Sequence, residues 1–310
     1  MSLRAEILRL GTRYLLKGKP GPEASLAERR LRAIAVQRWV PNPPPDIKRI
    51  AVDAGGVAAE WVVAPASQPD RHILYLHGGG YVIGSPSLYR HLTWRLAKAA
   101  RARLLAIDYR LAPEHPFPAA LDDATTAYEW LLASGADPRK IAIIGDSAGG
   151  GLVFALLLRC RDDGRLPLPA AAVALSPWTD LALTGASLAE NVVADPFLDA
   201  NGIPPIAEYY LAGTDPRNPY ASPLYGDPTG LPPALIQVGS DEVLRDDATR
   251  MADRLRAAGC EVVLEIWPRM PHVWHLFSSV MPEARHAIAR VGSFVAERTT
   301  VTVVSQPPCG

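Results

Sequence analysis

From residue 50 onward, short and almost uninterrupted apolar runs alternate with longer stretches whose apolar residues recur every three or four positions. The runs are AEWVVA (59–64), HILYLH (72–77), LLAIDY (104–109), IAIIG (141–145), AAVALS (171–176), ALIQVG (234–239) and VVLEIW (262–267). Each has the length and the branched, apolar make-up of a strand. Helical spacing falls near 87–100, 118–133, 148–162, 244–258 and 281–297. Strands that are apolar throughout are buried on both faces, and the intervening helices supply the cover. The pattern predicts an α/β fold with a mostly parallel central sheet flanked by helices. Residues 180–233, rich in Pro, Gly, Asp and Tyr, break this rhythm and are too long for a simple connection. They read as an insertion above the sheet edge.

The front of the chain is different. Leu3, Ile7, Leu10 and Tyr14 recur at helical spacing with Arg4, Arg9 and Arg13 between them, which predicts an amphipathic helix. A second helix is expected from Ser25, where SLAE has the form of a capping box. It carries Leu31, Ile34 and Ala35 and ends before the proline-rich VPNPPPD at 40–46. Residues 1–45 therefore read as an attachment to a domain spanning 46–300. The tail 301–310 has no helical pattern and reads as flexible.

Composition narrows the picture. The 310 residues are 48% hydrophobic and 21% charged, with 32 basic and 32 acidic side chains. That describes a globular chain with ample core and without the basic excess of a nucleic-acid binder. The N-terminus has no continuous apolar h-region, and LVFALLL at 152–158 is far short of the ~20 residues of a membrane span. Cys160, Cys260 and Cys309 are widely spaced, without a CxxC or metal-ligand pattern. A reduced, cytoplasmic location without stable membrane insertion is expected.

The chemistry concentrates at strand ends, where ligands of open α/β sheets bind. GDSAGG follows the run 141–145 and opens the helix after it. Gly145-Asp146-Ser147-Ala148-Gly149 fits the GxSxG elbow, in which bulky neighbours two positions either side of the serine would collide. A plain Gly-rich turn with an N-capping serine fits the same five residues. Upstream, YLHGGGYVIGS (75–85) follows another strand, and its three glycines let backbone N–H groups approach an oxygen that becomes negative. The oxyanion role is assigned to the amides of Gly78 and Gly79, with that of Ala148 as the third. Phosphate-loop spacing is absent, and His77 reads as an organiser of this loop.

A serine needs a base, and on an elbow of this kind the chain order is Ser, acid, His. His272, His275 and His286 lie downstream of Ser147. His272 hangs on a short loop after the run 262–267, where the base is required; His275 is the alternative. His286 falls inside the last helix. For the acid, Asp241 is nearest the end of the run 234–239 and is chosen, with Glu242 as runner-up. Asp246 and Asp247 belong to the first turn of the next helix, where acids favour the dipole.

These stretches, together with DYRLAPEHPFPAALDD (108–123), LSPWTDL (175–181), VGSDEVLRDDA and MPHVWH, resemble the bacterial hormone-sensitive lipase family of α/β-hydrolase esterases. The resemblance runs through most of the chain. It implies a carboxylesterase with the triad Ser147, Asp241 and His272, acting on short- to medium-chain esters without metal or organic cofactor. It also implies a cap built from the N-terminal helices and an insertion at about 180–215. Asp108, Tyr109, Arg110, Glu114 and Asp146 are then scaffold. The partner is a small-molecule ester rather than nucleic acid, and a homodimer through the last strand is compatible with the family. An amidase and a non-catalytic small-molecule receptor on the same scaffold are the alternatives; the receptors similar to this family lack the histidine that is present here.

Overall fold

The computed structural model describes residues 25–37 and 42–300, together with Ser2, Glu6 and Gly11. The helix expected over 3–14 lies largely outside the described residues, and the tail 301–310 lies wholly outside them. Eight strands form one sheet: β1 (Lys48–Asp53), β2 (Ala58–Val63), β3 (His72–Leu76), β4 (Arg103–Ile107), β5 (Ile141–Asp146), β6 (Ala171–Leu175), β7 (Ala234–Gly239) and β8 (Val262–Trp267). Their order is β1-β2-β4-β3-β5-β6-β7-β8. The pairs β1/β2 and β2/β4 are antiparallel and every other pair is parallel.

Every residue of β3, β6 and β7 is buried, as their unbroken apolar runs require. Alternate side chains serve opposite cores. Leu74, Leu105, Ile143 and Ile236 pack against α3 (Ala119–Ala133), α4 (Ala148–Asp163) and α7 (Arg245–Ala257). Ile73, Leu104, Ile144 and Val173 pack against α2 (Pro86–Ala100) and α8 (Pro282–Arg298). β1 is the strand that the hydrophobic pattern does not reveal. Its KRIAVD is exposed along almost its whole length because it forms an edge with a partner on one side only.

The insertion between β6 and β7 carries α5 (Ser187–Glu190) and α6 (Ile203–Leu211). α6 is fixed to the body by a Tyr81–Tyr210 stack, with centroids 3.7 Å apart, and by the Phe117 N–H donating to the Tyr210 carbonyl at 2.8 Å. The N-terminal helix α1 (Leu26–Gln37) begins with the expected capping box. Glu28 accepts from the Ser25 N–H at 2.8 Å, and Ser25 Oγ accepts from the Glu28 N–H at 3.3 Å. Arg30 then reaches inward, donating to the Val82 and Ala112 carbonyls and to both oxygens of Glu114. One guanidinium thus joins α1 to the chain immediately after the triple glycine.

α8 crosses α2 so closely that a Cβ on Gly292 would stand 2.5 Å from the Ala99 carbonyl carbon and oxygen. Helix propensity favours Ala over Gly by ~1 kcal/mol, but overpacking a tight contact costs about 1–3 kcal/mol. Packing is expected to win: Gly292→Ala should lower the urea midpoint, and a raised midpoint would contradict this crossing.

Candidate active site

β5 ends at Asp146 and α4 starts at Ala148, leaving Ser147 alone to turn the chain. It does so at φ 52° and ψ −121°, a conformation that a non-glycine residue adopts only under constraint. The constraint is visible on both sides. A Cβ on Gly145 would collide with the Gly149 carbonyl, and one on Gly149 with the carbonyls of Leu76 and His77. The Ser147 N–H donates to the Leu175 carbonyl at 2.8 Å, and its own carbonyl accepts from Trp178 and Gly151. The hydroxyl consequently stands clear of the sheet at the start of a helix.

His272 reaches it from the loop after β8. Its Nε2 is 2.9 Å from Ser147 Oγ, and its Nδ1 is 2.8 Å from Glu242 Oε2. An ionised carboxylate can only accept, so Nδ1 carries the proton and Nε2 is left to accept from the serine hydroxyl. Burial alone would lower the histidine pKa. The hydrogen bond and charge of Glu242 outweigh it, and the imidazole ends above its ordinary value. Burial raises the Glu242 pKa, opposed by His272. The second oxygen of Glu242 accepts from Ser176 Oγ at 2.8 Å and from the Gly239 N–H at 2.5 Å. Ser176 Oγ also accepts from the Val273 N–H at 3.1 Å, tying the acid to the residue after the histidine.

Two expectations are corrected here. Asp241 does not meet the imidazole; it is half-buried and accepts from its neighbour Ser240 Oγ at 2.8 Å. The turn after β7, closed by the Glu242 N–H on the Gly239 carbonyl, carries residue 242 inward instead. Gly78 is not a free donor either, because its N–H donates to Asp146 Oδ1 at 3.0 Å. Gly79 and Gly80 line the cavity beside Ser147 and His272, and among the described residues neither amide is otherwise engaged. Ala148 stands, as expected, at the first position of α4.

The remaining candidates have other tasks. His77 is buried, its Nδ1 2.8 Å from the Gly78 carbonyl and its ring stacked on Tyr109, and burial pushes its pKa down to about 4. Asp146 accepts from Tyr75 Oη at 2.5 Å, and burial pushes it up to about 6. His275 bonds Gln237 and is pushed down to about 3 by burial, while His286 is exposed against Trp267. The cavity over Ser147 holds about 320 Å³ and is walled mainly by Trp178, Phe197, Leu198, Ile203 and Ile206. A groove of about 490 Å³ along α3 and α4 shares no residue with it. Among the described residues no cluster of His, Cys, Asp and Glu could hold a metal ion, and no helix is long and apolar enough to cross a membrane.

A mostly parallel sheet with a strained serine at the tip of a central strand defines an α/β hydrolase, and residues 73–276 match the alpha/beta hydrolase fold family. An acetyl-hydrolase from Streptomyces hygroscopicus is 51% identical over 257 residues, covering 83% of this chain and 84% of the relative. An esterase from Acinetobacter venetianus is 36% identical over 289 residues, covering 91% and 94%. The crystal structure of an esterase from the bacterial hormone-sensitive lipase family superposes with a TM-score of 0.91 at 44% identity, covering 97% of this chain and 99% of the other. The chain belongs to this hormone-sensitive lipase-like family of α/β hydrolases and is a carboxylesterase.

The opposed effects on His272 generate a test. Glu242→Gln removes the charge that raises the imidazole pKa and leaves the burial that lowers it. An NMR titration of His272 is therefore expected above the ordinary histidine value in the parent and at a lower pH in the variant. Titration at the same pH in both would contradict the pairing.

Proposed function

We propose that this esterase hydrolyses short- to medium-chain carboxylic esters through a Ser147–His272–Glu242 triad and an acyl-enzyme. The observation that carries the reading is the unbroken chain of contacts, 2.9 Å from serine to imidazole and 2.8 Å from imidazole to carboxylate. Ser147 Oγ attacks the ester carbonyl carbon as its proton passes to His272 Nε2. The carbonyl oxygen, now negative, is received by the amides of Gly79, Gly80 and Ala148. Collapse of the tetrahedral intermediate breaks the bond to the alcohol oxygen, which takes the proton from His272. A water then repeats the sequence on the acyl-enzyme, with its proton going to the same nitrogen, and releases the acid and free Ser147. Glu242 holds the tautomer and stabilises the imidazolium without itself taking the proton.

The chain-length range rests on the cavity. About 320 Å³ of mainly apolar space suits a few methylenes of acyl chain. The insertion around 180–215 acts as a cap, since Ile203 and Ile206 close the space above Ser147. A solved relative with 44% identity, EstE5, was soaked with p-nitrophenyl butyrate, an ester of the size proposed here.

Turnover of p-nitrophenyl acyl esters is the direct test. Ser147→Ala is expected to lose nearly all activity while keeping its fold. Glu242→Gln is expected to lose about 10⁴-fold in kcat, as loss of the orienting acid does in such triads. Asp241→Asn should stay within about threefold of the parent, because this half-buried carboxylate lies outside the contact chain and bonds only its neighbour Ser240 among the contacts described. The reverse ranking of the two acids would overturn the assignment. Matched anilides in the same assay address the amidase alternative, which requires comparable kcat/KM on both.

A further inference from the structure

We propose that Asp195 is a positioning residue for the triad: its carboxylate bonds the insertion that carries Phe197 to the turn that carries Glu242, and sets a second carboxylate behind the His272–Glu242 pair. Asp195 is completely buried in the β6–β7 insertion. One oxygen accepts from the N–H groups of Phe197 and Leu198, at 2.8 and 3.0 Å. The other accepts from the N–H of Val243, the residue after the acid, at 3.0 Å. Asn191, one turn earlier, donates to the carbonyls of Ser240 and Glu242 from the same side. The two segments are thus stitched by the side chains of Asp195 and Asn191.

What Asp195 holds matters for the reaction. Phe197 and Leu198 form part of the cavity wall, and the Phe197 ring lies 6.1 Å from the His272 ring. A shift of the 195–198 turn would therefore move the wall of the substrate space and the support of the base together. A shift of Val243 would move Glu242 with it. A cap segment and a triad member share one carboxylate.

The electrostatic consequence has a definite sign. The titratable groups that act electrostatically on the imidazole are Glu242 on the β7–α7 turn, which bonds it, Asp146 at the elbow, His275 on the following short helix and Asp195 in the insertion. His275 is pushed down to about 3 by burial and carries no charge near neutrality. Both Asp195 and Asp146 act with Glu242 to favour the imidazolium. Removing the Asp195 charge makes His272 a weaker base, so the pH at which it loses its proton falls.

Asp195→Asn preserves the shape and removes the charge. With a soluble short-chain p-nitrophenyl ester, kcat/KM at its optimum is expected to fall roughly tenfold, about the loss for one charge-assisted hydrogen bond. The acidic limb of its pH profile should move to lower pH, and the imidazole of His272, followed by NMR through its Nδ1 proton resonance without turnover, should titrate in the same direction. A purely structural aspartate would lower the melting temperature and leave the limb and the titration at the parental pH, which would overturn the proposal. Should Asp195→Asn fail to fold, Asp195→Ser carries the same two measurements; failure of both to fold would mark a structural residue and also overturn it. The proposal rests on the triad reading, and the two fail differently. Activity surviving in His272→Asn or Glu242→Gln sinks the triad, whereas inactive triad variants with an unmoved Asp195→Asn limb sink this proposal alone.

Discussion

The whole active site depends on one close approach between backbones. α4 begins against the ends of β3 and β5 with no room for a side chain at Gly145 or Gly149, since the carbonyls of Leu76, His77 and Gly149 occupy those spaces. That contact forces Ser147 to φ 52° and lifts its hydroxyl off the sheet. The strain at Ser147, of order 1–3 kcal/mol, is held by the buried strands on either side and by the hydrogen bond from its N–H to Leu175. The same approach brings the chain after β3 alongside the serine, so the glycine loop and Ser147 share one cavity. On the proposed mechanism, the helix start and the neighbouring glycine amides together receive the developing negative charge.

Around that point the molecule keeps charge buried only where it is fully bonded. Glu242 is completely buried, yet its two oxygens receive His272, Ser176 and the Gly239 amide. Asp146, equally buried, takes Tyr75 and the Gly78 amide. Leaving such a carboxylate without partners would be far more costly than the bonds are worth individually. This explains why acids cluster here in a chain of balanced net charge. Each acid fixes a different element: Asp146 the glycine loop, Glu242 the His272 imidazole, and Asp195 the insertion.

The fold was legible because its signal is redundant. Seven apolar runs and five helical patterns lie within two residues of the elements they predict, since burial on both faces demands apolar residues at every position. β1 was hidden because an exposed edge strand makes no such demand: KRIAVD mixes charge and apolar residues as a loop would. At the site, Ser147 and His272 were legible because the elbow allows only small neighbours and the base must hang beyond a strand. The acid was not. Asp241 and Glu242 sit side by side, both can ionise, and only the turn closed on the Gly239 carbonyl decides which faces inward. The engagement of Gly78 is hidden for a similar reason. Three consecutive glycines are equivalent in sequence, and only the partner waiting at Asp146 distinguishes the first from the other two. A buried acid one residue before Ser147 is the available sign that one loop amide is already engaged.

The central claim is that Ser147 is made nucleophilic by His272. Treatment with a fluorophosphonate ester, followed by peptide mass spectrometry, reads this without reference to any natural substrate. The account predicts a single phosphonyl adduct on Ser147, formed rapidly in the parent and at least a hundredfold more slowly, on the order of the contribution of a general base, in His272→Ala. An unmodified Ser147 in folded parent protein, or labelling at an undiminished rate in the variant, would contradict it.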